Sequence, residues 1–119
     1  MVVIYENVIK NKGDLVGEFG SAMFITFGDS APDTLKDYCY SIDVKETSGR
    51  IAVGQYLNID GEKFEILKVG EIAEQNLVSL GHLTVNFDGG EEVLPGAISV
   101  DAKDCPKLDI GTVLKIEEQ

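Results

Sequence analysis

Histidine is nearly missing from this chain: His82 is the only one in 119 residues. Any histidine chemistry therefore uses His82 or does not occur. Cysteine is scarce too, with Cys39 and Cys105 far apart, no CxxC pair and no Cys/His cluster. A zinc centre needs about four such ligands, so none is expected. Two thiols, buried or free, are the default in a cytosolic protein. Cations are few, ten Lys and Arg against 21 Asp and Glu, for a formal charge of −11. That balance argues against a nucleic-acid backbone as ligand and against an anionic membrane surface. It would steer a partner with a basic face toward the chain, or serve solubility alone. No stretch approaches the ~18 apolar residues of a membrane span. The opening MVVIYENVIKNKG has no basic region followed by a long apolar core, so it does not read as a signal peptide. The expected location is cytoplasmic.

Familiar site motifs are missing as well. Without GxxxxGK[ST] or GxGxxG there is no nucleotide cradle, and without GxSxG or HExxH no recognisable hydrolase centre. No cofactor is expected. Glu91-Glu92 and Glu117-Glu118 are adjacent pairs, and neighbouring side chains on extended chain point to opposite faces. Asp101 and Asp104 flank Lys103 in a loop that could hold at most a weak calcium site. Cys39, between Tyr38 and Tyr40, reads as a core residue rather than a nucleophile.

What is present is a globular composition, 44% hydrophobic, punctuated by 13 glycines. Residues 1–119 read as a single domain with one core. Val2 to Tyr5 is a strand, with Val8 and Ile9 able to extend it. Met23 to Phe27 is apolar on both faces and therefore central. Ser30 is a candidate N-cap, with Pro32 in the first turn and Asp33 to Lys36 as a single helical turn. Tyr38 to Val44 alternates as a half-buried strand does. Tyr56 to Ile59 and Lys63 to Val69 flank Asp60-Gly61, a hairpin signal. Ala73, Leu77 and Leu80 mark one face of a helix over 73–80, and Gly81 stands where a C′ glycine belongs. Leu83 to Phe87, Ala97 to Val100 and Thr112 to Ile116 complete the strands. The segments 53–59 and 110–116 echo each other: aliphatic, Gly, two residues, Leu, polar, Ile. This is either a duplicated half of a barrel or chance. The predicted architecture is mainly β, a small closed or partly open β-barrel with one or two short helices.

His82 follows the helix-ending glycine and precedes a strand, where a side chain can face a loop surface. A histidine that acts as a nucleophile needs a neutral, accessible ring nitrogen, with its other nitrogen held so that the attacking tautomer is fixed. A structural imidazole bonded to a backbone carbonyl would fit the same position.

Several pieces resemble one family in order and spacing. They are Ile4-Tyr5; Ile25-Thr26-Phe27 with Ala31-Pro32, Leu35 and Tyr38-Cys39; Val69-Gly70 with Ala73 and Asn76-Leu77; Leu80-Gly81-His82 with Thr84 and Phe87-Asp88-Gly89; Pro95-Gly96; and Gly111 with Val113-Leu114-Lys115. Together they resemble the glucitol/sorbitol-specific IIA components of the bacterial phosphotransferase system. The resemblance implies a compact β-barrel-like domain that accepts phosphate from the phosphocarrier HPr. It would pass that phosphate to a IIB domain, with a membrane IIC domain moving the hexitol. The chain departs from the family at one place. There the phosphorylated histidine follows the Tyr-Cys-aromatic segment by about two positions, which falls here on Ile42, or on Asp43 with a one-residue slip. An aspartyl phosphate would need a divalent metal and an acidic pocket. The resemblance gives His82, within Leu80-Gly81-His82, the part of an accompanying residue that assists the phosphorylated imidazole by hydrogen bonding. With no histidine at the acceptor position, it also stands as the one phosphohistidine candidate. The alternative is a IIA-like homologue that has lost phosphotransfer and acts as a binding or regulatory module.

Overall fold

The computed structural model describes residues 2–118. Its strands are β1 (Val2–Val8), β2 (Asn11–Lys12), β3 (Met23–Phe27), β4 (Tyr40–Ser41), β5 (Tyr56–Ile59), β6 (Glu62–Val69), β7 (Leu83–Asn86), β8 (Ala97–Val100) and β9 (Val113–Glu118). The helices are α1 (Asp33–Lys36) and α2 (Ala73–Leu80), with a 3₁₀ turn at Val16–Phe19. One sheet runs in the order β1-β9-β5-β6-β8-β7-β3-β4-β2. Its two ends are consecutive in the chain. Between them the Ile9 N–H bonds the Thr112 carbonyl on one side, and the Lys10 N–H bonds the Ser41 carbonyl on the other. One extended segment thus joins both edges and curls the sheet into a barrel-like shell, as the sequence led us to expect.

Inside the shell lie Phe64, Ile66, Val85, Ile98, Val100 and Ile116, each essentially inaccessible. All residues of β8 are buried, because β8 sits between β6 and β7. Ala73 and Leu77 carry the apolar face of α2 into the same cluster. This burial rather than intrinsic propensity holds so short a helix.

The Asp60-Gly61 hairpin forms as predicted, with both residues at positive φ. The two echoing segments also adopt the same turn. Gly54 and Gly111 have φ of 95° and 96°. Each turn is closed by a side chain three residues on: Gln55 Oε1 accepts from the Ala52 N–H, and Thr112 Oγ1 from the Asp109 N–H. The strands that follow, β5 and β9, pair antiparallel with Leu57 opposite Ile116 and Ile59 opposite Leu114.

Two local expectations need correction. The strand predicted over 38–44 is only Tyr40–Ser41. Beyond it the ladder is broken because the Asp43 carbonyl accepts from the Asn7 side chain instead of a neighbouring strand. Ser30 does not cap α1; Pro32 occupies the N-cap with no side-chain bond.

Candidate functional site

The candidate site around His82 lies where α2 ends and β7 begins. Gly81 turns the chain with φ 71°, a left-handed conformation that L side chains resist. Its N–H bonds back to the Leu77 carbonyl and that of His82 to the Asn76 carbonyl, a Schellman-type close. The end of β3 crosses directly against this turn. The Gly28 N–H donates to the Leu80 carbonyl at 2.8 Å, and a Cβ on Gly28 would stand 2.7 Å from both that oxygen and the Val44 side chain. The backbones of Gly28 and Gly81 therefore meet directly before His82, and a Cβ on either would force the backbone to shift. The buried Thr26 hydroxyl donates to the Gly81 carbonyl at 2.9 Å, pinning the peptide that precedes His82.

The strand register decides which side chains share a face. Ser41 lies beside Phe27, and Thr26 beside Leu83. Thr26, Leu83 and Ile42 line a small apolar cavity inside the shell, with Tyr5 and Leu77. Phe27 and His82 lie on the other face, their rings stacked with centroids 4.4 Å apart and planes at 16°. Phe27 is buried yet stands outside the main core cluster. His82 is half-buried, and this desolvation holds its imidazole below the ordinary value, favouring the neutral form. The imidazole makes no hydrogen bond to another side chain among the described residues. Exposed Val44 and Leu80 border this corner.

The other candidates fall elsewhere. Ile42 is 1% exposed and belongs to the core. Its N–H donates to the Phe27 carbonyl at 3.0 Å, so its backbone touches the site while its side chain faces away. Asp43 is exposed and paired with Lys10 at 3.0 Å, and Lys10 holds Asp29 at the same distance. The hydrogen bond from Lys10 keeps the Asp43 carboxyl below its usual value. Among the described residues no three His, Cys, Asp or Glu side chains converge as metal ligands. Asp101 caps the Glu65 N–H at 2.8 Å, a structural use of that loop. Cys39 is buried, donating its thiol to the Leu35 carbonyl, and burial pushes both Cys39 and Cys105 up to about 11. Thr26 and Phe27 were legible as central-strand residues and as part of the family resemblance, but nothing in the sequence marked them, or Gly28, as neighbours of His82. The MFITFG run carries no pattern that reports a ring on its outer face.

With this geometry in place, the relatives are informative. Residues 4–115 match the family profile described as PTS system glucitol/sorbitol-specific IIA component. The PTS system glucitol/sorbitol-specific EIIA components of Escherichia coli (strain K12) and Shigella flexneri are each 34% identical over 119 residues. Those matches cover 98% of this chain and 97% of the relatives. A crystal structure of a PTS system IIA component from Enterococcus faecalis V583 superposes with a TM-score of 0.82 at 27% identity. It covers 96% of this chain and 100% of that one.

Proposed function

Given that the chain belongs to the glucitol/sorbitol-specific IIA components of the phosphotransferase system, we propose that it carries the phosphoryl group on His82. The donor would be the phosphohistidine of an HPr-type carrier, and the acceptor the IIB domain of a membrane permease with its IIC partner. One observation carries this reading. The chain's single histidine stands half-exposed on a backbone-locked corner, while the positions on which the resemblance puts the family's acceptor hold Ile42, a core residue, or with a one-residue slip Asp43, an exposed carboxylate paired with Lys10.

The chemistry needs an accessible neutral nitrogen, which His82 offers; the bond to the second ring nitrogen that would fix the attacking tautomer is supplied by no described residue. The lone-pair nitrogen of neutral His82 attacks phosphorus in line as the donor's P–N bond breaks. The electron pair of that bond returns to the donor imidazole, and the proton on the other ring nitrogen of His82 stays in place. The product is an N-phosphorylated imidazolium, which the reverse sequence hands to the next acceptor. Desolvation aids the first step by keeping the nucleophile unprotonated near neutral pH. The −11 charge of the chain suits carriers that present basic groups beside their own site.

The test is reconstitution. Membranes bearing a glucitol IIB/IIC permease, with phosphoenolpyruvate, enzyme I and HPr, should phosphorylate glucitol only when this chain is added. Addition of the chain without any sugar phosphate formed would contradict the reading and leave a IIA-shaped binding module.

A further inference from the structure

We infer that Phe27 is a positioning residue for phosphoryl transfer at His82, fixing the imidazole plane by ring stacking where no hydrogen bond does so. The inference rests on the reading of His82 as the acceptor and adds how that acceptor is aimed.

An imidazole on a free side chain rotates, and transfer requires a nitrogen lone pair pointed along the line of the incoming phosphorus. The usual restraint is a hydrogen bond to the second ring nitrogen. No described residue supplies one here. Phe27 supplies a different restraint. Its ring lies 4.4 Å from the imidazole at 16°, covering one face. Nitrogen lone pairs lie in the ring plane, so a covered face leaves both edges open to an approaching group.

Phe27 can serve as a reference plane because it is itself held. It is 6% exposed, its carbonyl accepts from the Ile42 N–H, and the next residue, Gly28, is bonded to Leu80 just before the His82 turn. Its ring lies outside the main core cluster, against the one imidazole of the chain. The stack also changes value during the reaction. Phosphorylation converts a neutral imidazole into an imidazolium, and a cation over an aromatic face is stabilised more than a neutral ring.

The experiment uses wild type, Phe27→Leu and Phe27→Tyr. Imidazole resonances are read by NMR, which is unambiguous with a single histidine, and the initial rate of phosphorylation is read with phosphoenolpyruvate, enzyme I and HPr. In wild type, ring-current-shifted imidazole protons and Overhauser effects to the Phe27 ring are expected. Phe27→Leu should lose the ring-current shift and slow phosphorylation about tenfold or more, while unfolding stays cooperative. Phe27→Tyr should restore both. An unchanged rate in Phe27→Leu with the ring-current shift lost would overturn the role of Phe27 and leave His82 as acceptor. Phosphate that persists in His82→Ala would instead overturn the acceptor reading and the Phe27 role with it. Should neither Phe27 variant fold, wild type decides: a rotationally averaged imidazole without contacts to Phe27 overturns the inference.

Discussion

A Cβ on Gly81 would lie 2.8 Å from the backbone nitrogen of Gly28, so the turn that presents His82 and the end of β3 are built around mutual backbone contact. Gly81→Ala should therefore cost more than its positive φ alone, which accounts for about 1 kcal/mol. Gly111 has a similar conformation, φ 96°, but open space around it. Gly111→Ala should lose only that ~1 kcal/mol, and Gly81→Ala clearly more, on the order of 2–4 kcal/mol with the backbone displaced. Urea unfolding of the two variants checks the difference.

The pH dependence follows from the half-buried imidazole. Its folded-state value is depressed by desolvation, below the ~6.5 of an unfolded histidine. A depressed value means that the folded state binds fewer protons. The contribution of His82 is thus complete above the unfolded value and is lost as pH falls through the folded one. Stability measured from pH 8 to pH 5 should decline more steeply in wild type than in His82→Gln. An NMR titration of the ring should give a midpoint below that of a free histidine.

Ile42 separates core from site. Ile42→Ala removes a core side chain that lines the interior cavity and should cost about 2–5 kcal/mol. The phosphate accepted per folded molecule should stay the same, since the side chain points away from His82. Denaturant titration and intact mass, taken on the same sample, read the two effects apart.

Both thiols should be sluggish. Burial raises Cys39 and Cys105 to about 11, so at pH 8 the thiolate fraction is small. With a disulfide reagent, Cys105, which is partly exposed, should react slowly. Cys39, 3% exposed, should react only as the protein unfolds.

The sequence was most readable where one physical signal acted alone. The span of α2 and its glycine stop were legible because periodicity and a C′ residue agree. The hairpin at Asp60-Gly61 was legible because its turn demands positive φ. The segment 38–44 misled because its alternation is real, yet the strand ends where Asn7 takes the Asp43 carbonyl. That competing bond comes from a residue more than thirty positions away. His82 stood out by being solitary. The stacking of Phe27 on it could not be foreseen, since it depends on β3 lying beside β7 and on which face of β3 carries Phe27.

The most direct test is intact mass after incubation with phosphoenolpyruvate, enzyme I and HPr, with His82→Ala beside wild type. The variant should remain cooperatively folded, because the imidazole is half-exposed and its turn is held by Gly81, Gly28 and Thr26. One acid-labile phosphate on wild type and none on the variant is the predicted result. Phosphate retained by the variant, or none on wild type with partners proven active, would contradict His82 as the carrier.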